Sequence, residues 1–254
     1  FTDAVANANS ESNTYTWTYD TTDPTMTITS TAGTADGGTS GVEDFALTFT
    51  SSEATANFAA VDISNGGDGC TIGAFNADST SVYTATCTAT AGDTVNVLVA
   101  ADKYTDTAGN DNTVSNTFDW TYETTDPTMV ITSTAGTSDG GTSSVAAFAL
   151  TYTSNEATTD FAIADITGSS CTVGGFGTNS ATEYTSTCTA ADGATANVVV
   201  AAETYTDAAG NDNEVSNTFD WTYDGTAPTM VITSNTIASG GDTATAGVVL
   251  IYTT

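Results

Sequence analysis

Basic residues are almost missing from this chain. Its 254 residues include one Lys+Arg (Lys103) and no His, against 31 Asp+Glu, for a formal net charge of −30. A surface without cations cannot neutralise a phosphate backbone, so nucleic acid is excluded as a partner. Anionic membrane surfaces are excluded on the same ground. The gap also removes the usual catalytic bases, oxyanion donors and phosphate clamps. Paired carboxylates remain, as in glycosidases, but the acids sit in linkers and turns rather than in an expected cleft. The chain is therefore read as non-enzymatic. Long apolar runs are absent too, and none reaches the ~18 residues of a membrane-spanning segment. The sequon Asn-x-Ser/Thr does not occur despite abundant Asn.

Thr is the commonest residue, and its β-branched side chain suits strands. The sequence repeats itself. Trp17-Thr-Tyr-Asp-Thr-Thr-Asp-Pro-Thr-Met-Thr-Ile-Thr-Ser30 returns from Trp120 to Ser133 and from Trp221 to Ser234, at spacings of 103 and 101 residues. The difference lies where Asp62–Cys70 shortens to Asp165–Cys171; indels of this kind fall in surface connections. The frame gives residues 1–20 as the end of a preceding repeat plus linker, full repeats at 24–123 and 127–224, and the start of a further repeat at 228–254. Both ends fall inside a repeat, so a longer parent chain is expected.

Within a repeat apolar residues recur with period two. Met26/Ile28, Phe45/Leu47/Phe49, Phe58–Ile63, Cys70–Ile72, Tyr83–Cys87, Val95–Val99 and Val114–Tyr122 read as seven strands, separated by turn signals such as Asp36-Gly-Gly and Asn65-Gly-Gly. No window reads as an amphipathic helix, and the alternation argues against disorder. Seven short strands in about one hundred residues is the count of an immunoglobulin-like sandwich. The predicted fold is all-β: tandem Ig-like β-sandwiches of about seven antiparallel strands in an elongated array.

Cys70 and Cys87 recur as Cys171 and Cys188, 17 residues apart each time. Zinc would need four ligands per repeat, and His is absent. One pair per repeat on neighbouring strands reads as an intradomain disulfide, stabilising by roughly 3 kcal/mol on the chain-entropy view. An oxidising, extracellular or cell-surface setting follows.

On a sandwich scaffold, the second–third and sixth–seventh strand loops emerge beside the incoming linker. The linker carries Asp20 and Asp23, the first loop Glu53, and the second Asp106, Asn110 and Asp111. The next repeat supplies Glu123, Asp126, Glu156, Asp207, Asn211 and Asp212. Asp and Asn are also ordinary turn residues, but an oxygen-only cluster suits Ca²⁺, which accepts six to eight such ligands in loose geometry. The metal set is expected to be Asp20, Asp23, Glu53, Asp106 and Asn110, with Glu123, Asp126, Glu156, Asp207 and Asn211 in the second copy. Ala227 replaces the linker Asp in the third copy, which should weaken a site there.

The run Ser51-Ser-Glu-Ala-Thr55, then Asn57-Phe-Ala-Ala-Val-Asp-Ile63, Val82-Tyr-Thr-Ala-Thr86 and Tyr104-Thr-Asp-x-Ala-Gly-Asn110 resembles the bacterial-type Ig-like repeats of large surface adhesins and extracellular repeat proteins. The resemblance implies a sandwich fold, tandem arrangement and often calcium between domains, with Asp106, Asn110, Asp207 and Asn211 on the family's Asp-x-Ala-Gly-Asn loop. Residues Asp3-Ala-Val-Ala-Asn7 lack that glycine, and the paired cysteines are an addition to the pattern. The expected role is structural: the stalk of an adhesin or the subunit of a filament, partnered by further copies end to end and side by side. The alternative is a carbohydrate- or ice-binding module using Thr-rich strand faces.

Overall fold

Alternation of Thr with apolar residues drives each strand to bury one face and solvate the other, and two such sheets close over each core. The computed structural model describes residues 1–30, 35–67, 69–133, 138–244 and 246–254. The chain divides into two units, Phe1–Thr124 and Thr125–Thr254.

The first unit contains β1 (Met26–Ser30), β2 (Gly38–Ser40), β3 (Asp44–Ser51), β4 (Ile63–Ser64), β5 (Cys70–Ala77), β6 (Val82–Ala89), β7 (Thr94–Val99) and β8 (Phe118–Tyr122). One sheet runs β1-β3-β6-β5 and the other β2-β8-β7-β4. In β3 the burial alternates strictly, with Phe45, Leu47 and Phe49 inward and Ala46, Thr48 and Thr50 turned out. Phe45 stacks on Trp120 of the opposite sheet at 4.3 Å between ring centroids. Each large apolar side chain buried in this way contributes about 1.5–3 kcal/mol relative to exposure.

The sequence reading needs three adjustments. Phe58–Ile63 is not a strand: Ala60–Asp62 forms a 3₁₀ turn, held by the Asp62 carboxylate accepting the Ala59 N–H at 2.8 Å, and only Ile63 and Ser64 pair in a sheet. Phe58 is nonetheless buried, its ring 4.9 Å from Tyr83 and 5.2 Å from Tyr104. Second, the last strand begins at Phe118 rather than Val114. Asn116 leaves the ladder and uses its side chain, accepting the Ile28 N–H at 2.7 Å and donating to the Ile28 carbonyl at 3.0 Å. Third, β2 was not foreseen, and it pairs with β8 in parallel.

The second unit repeats this with β9 (Met129–Ser133), β10 (Gly141–Ser143), β11 (Ala147–Ser154), β12 (Ile166–Ser169), β13 (Cys171–Thr178), β14 (Glu183–Ala190), β15 (Thr195–Val200) and β16 (Phe219–Tyr223). Its sheets run β9-β11-β14-β13 and β10-β16-β15-β12, and it has its own core. Where the chain is two residues shorter, β12 extends along β15 and Ser170 turns the corner with φ 59°. The corresponding first-unit segment includes Asp68, which lies outside the described residues. Near the C-terminus, β17 (Val231–Thr233) and β18 (Ile251–Thr253) pair as a lone antiparallel ribbon. Residues 1–25 contain no strand; they carry one isolated bridge, Thr2 to Ala8.

Cys70 of β5 bonds Cys87 of β6, and Cys171 of β13 bonds Cys188 of β14, with Cα separations of 5.6 and 5.7 Å. Both bridges join adjacent strands of one sheet rather than crossing between sheets. Among the described residues no cysteine is free.

Candidate metal centre

The loop after β7 is built around one carboxylate. Asp106 Oδ1 accepts the backbone N–H groups of Ala108, Gly109 and Asn110 at 2.8, 2.6 and 2.8 Å. Asp106 Oδ2 accepts the Asn110 side-chain amide at 2.9 Å. Gly109 sits at φ +98°, a left-handed conformation that glycine adopts without strain. The Asp-x-Ala-Gly-Asn spacing is therefore the recipe for a self-locking loop. Asp207 receives the same four bonds from Ala209, Gly210 and Asn211. Residues 3–7 form the loop as well: Asp3 accepts from Val5 N–H, Asn7 N–H and the Asn7 amide, all at 3.0 Å. Ala6 replaces the glycine at φ 69°. The missing glycine strains this turn without abolishing it.

Locked in this way, Asp106 is 3% exposed and faces Glu53, which follows β3, and Asp20 from the incoming chain. One carboxylate oxygen from each lies within 4.8 Å of the others. The Asn110 amide also donates to the Asp20 carbonyl at 3.3 Å, tying the linker to the loop. In the second unit Glu156 and Asp207 approach equally closely, and the Asn211 amide donates to the Thr125 carbonyl at 3.4 Å. Glu123, near the end of the first unit, donates its backbone N–H to the Ser40 carbonyl at 3.1 Å.

Not every acid expected at the site joins this trio. Asp23 lines a neighbouring open pocket of about 540 Å³ with Asp102, Asn110 and Asp111, and Asp126 lines its counterpart of about 470 Å³ with Glu203, Asn211 and Asp212. Asn112 escaped notice as a structural residue. It is 2% exposed and satisfies four backbone groups: its oxygen accepts from Lys103 and Tyr104 N–H, and its amide donates to the Ala100 and Thr113 carbonyls. Asn213 repeats the role with Thr204, Tyr205, Ala201 and Glu214. The signal was present in the recurring Asn-Asp-Asn run, but spacing alone does not separate a buried clamp from a ligand.

Electrostatics divide the carboxylates. Burial first, then the charges of Asp20, Asp106 and Asp23, hold the Glu53 carboxyl above its ordinary range. Burial opposes ionisation of Asp106 as well, but its four hydrogen bonds outweigh that and hold it below the usual range. The arrangement is an anionic, oxygen-only cluster with one member kept firmly ionised and another disfavoured by its neighbours. Its donor set fits a hard divalent cation.

The sequence matches the family described as bacterial Ig-like domain at residues 20–122 and again at 123–223. No curated protein matches it in sequence. Among solved structures, the chain is similar to Yersinia pseudotuberculosis InvD, at 13% identity and a TM-score of 0.36, covering 85% of this chain and 64% of that one. It is similar also to invasin, a bacterial integrin-binding protein, at 13% identity and a TM-score of 0.39, with 82% of this chain and 41% of that chain covered. Yersinia pseudotuberculosis adhesin InvE matches at 14% identity and a TM-score of 0.28, over 79% of this chain and 58% of that one. The chain thus spans less than two thirds of the length of each.

Proposed function

The chain belongs to the bacterial Ig-like domain family, and on that premise we propose that it is a structural segment of an extracellular surface adhesin or filament, stabilised by disulfides and by bound Ca²⁺. The observation that carries the structural reading is tandem repetition of one disulfide-closed sandwich. The cysteine pairs favour an oxidising environment, and among the described residues no helix is long and apolar enough to cross a membrane. The near-absence of bases and cations leaves no recognisable catalytic machinery, which favours a non-enzymatic role.

The cation reading rests on Asp20, Glu53 and Asp106 meeting within 4.8 Å. Three like charges at that distance repel in any dielectric, and a divalent ion between them turns the repulsion into attraction. Within the second unit, Glu156 and Asp207 repeat the approach of Glu53 and Asp106. Because Asp20 belongs to the linker, a cation there would join linker to loops and stiffen the array. Calorimetry and small-angle scattering with Ca²⁺ and with chelator test this. Ca²⁺ should raise the melting temperature and lengthen the particle; a chain indifferent to chelator in both measurements refutes the cation and the stiffening together.

A further inference from the structure

The net charge of −30 is not spread evenly over the surface; strand faces carry little of it. Strands β1, β3, β5 and β6 contain one acid, Asp44, at the start of β3; β9, β11, β13 and β14 contain one, Glu183, at the start of β14. Only two of the chain's 31 Asp+Glu therefore lie in these eight strands. Register and burial put Thr29, Thr48 and Thr84 in one outward row, with Thr27 and Thr50 in the next. The second unit presents Thr132, Thr151 and Thr185 in the same row. In the row on the other side the relief is low: Ala46 and Gly73 flank Thr86, and Ala149 and Gly174 flank Thr187.

We propose that this charge-poor threonine face is a lateral interface that packs against the same face of a second copy of the chain. Two polyanions can approach closely only where their charges are sparse. The other sheet of each unit also carries one strand acid, Asp119 or Asp220, but it lies within the sheet beside Asn96 or Asn197, whereas Asp44 and Glu183 stand at strand ends. Small β-branched and glycine side chains let two sheets lie close, at the ~10 Å of sheet-on-sheet packing. A neutral glycan is a poorer fit, because none of these outward residues is aromatic and a stacking platform is missing. Four strands ~4.8 Å apart and ~8 residues long offer about 500 Å² per copy. Face to face this buries about 1,000 Å², the lower limit for a specific interface. One face should bind weakly, and repetition along an array should make the association strong by effective concentration.

The interface does not depend on the cation site, so its test is run in chelator. Sedimentation velocity of the whole chain from about 0.1 M to about 1 M NaCl shortens the screening length from ~10 Å to ~3 Å. Self-association should appear as the repulsion between copies is screened. Thr48→Asp/Thr86→Asp/Thr151→Asp/Thr187→Asp should weaken it about tenfold or more by placing like charges across the contact. Thr39→Asp/Thr142→Asp, on the other sheet of each unit, should change it less than about twofold, and circular dichroism checks that both variants fold. The inference fails if the chain stays monomeric at every salt concentration, or if both variants lose association alike. Retention of a monomeric chain by insoluble cellulose, lost in the face variant, would overturn it in favour of a glycan.

Discussion

Two of the differences between the repeats' cores come as a matched pair. Phe49 and Ala85 of the first unit become Tyr152 and Ser186 of the second, 0% and 2% exposed, with their hydroxyls 2.8 Å apart. A buried hydroxyl is tolerated because its partner arrived with it. Ser186→Ala should therefore destabilise the second unit by about 1–3 kcal/mol in urea titration, by stranding the Tyr152 hydroxyl. Tyr152→Phe combined with Ser186→Ala should recover most of the loss. The same tyrosine sets an alkaline limit. Burial raises its pKa despite the Ser186 bond, so the folded state holds this proton more tightly than the unfolded one. Its contribution is complete below the unfolded value of about 10 and is lost as pH rises through the folded value. Tyr152→Phe should flatten the fall in melting temperature above pH ~10. At the acidic cluster, Glu53→Gln should have opposite effects in two buffers. It should raise the melting temperature in chelator, by relieving repulsion from Asp20 and Asp106, and reduce the gain given by Ca²⁺. An equal gain from Ca²⁺ in both proteins would remove Glu53 from the site.

At the scale of strands and loops, the disulfide is the most direct test. It clips β5 to β6 across 17 residues of chain, so Cys70→Ala/Cys87→Ala should lower the first unit's unfolding free energy by roughly 3 kcal/mol in denaturant titration. This bridge was legible because two cysteines recurred at one separation in alternating segments. Strands with a buried face were legible in the same way, since period-two patterning records which side is wet. Gly38–Ser40 was not, because β2 is three residues long and joins its sheet through backbone pairing with β8. Phe58–Ile63 misled for the converse reason: Phe58 and Ile63 are buried like strand residues, while Asp62 bends the chain between them. At the site, the Asp-x-Ala-Gly-Asn spacing announced its loop. That Asp23 lines a pocket beside the trio was not legible, since it depends on how the linker enters rather than on any local pattern.

For the molecule as a whole, two cores with no buried residue in common imply two folding units. Residues 20–124 expressed alone should melt cooperatively, with Trp120 fluorescence and far-ultraviolet circular dichroism giving one midpoint. Non-coincident transitions would mean that the first unit borrows stability from the rest of the chain. The charge pattern works at this scale as well, with acids gathered in loops and linkers while long strand faces stay neutral.

The parallel pairing of β2 with β8 bears on how such a unit resists being pulled. Gly38 lies beside Trp120 and Ser40 beside Tyr122. Tension reaching β2 from the N-terminal side and β8 from the C-terminal side drags the two strands past each other lengthwise. Their hydrogen bonds, with the Gly37 N–H to Asp119 carbonyl bond beside them, then bear the load in shear, all at once, instead of unzipping singly. A short strand that adds little to the core is thereby held in the geometry that resists lengthwise pulling best.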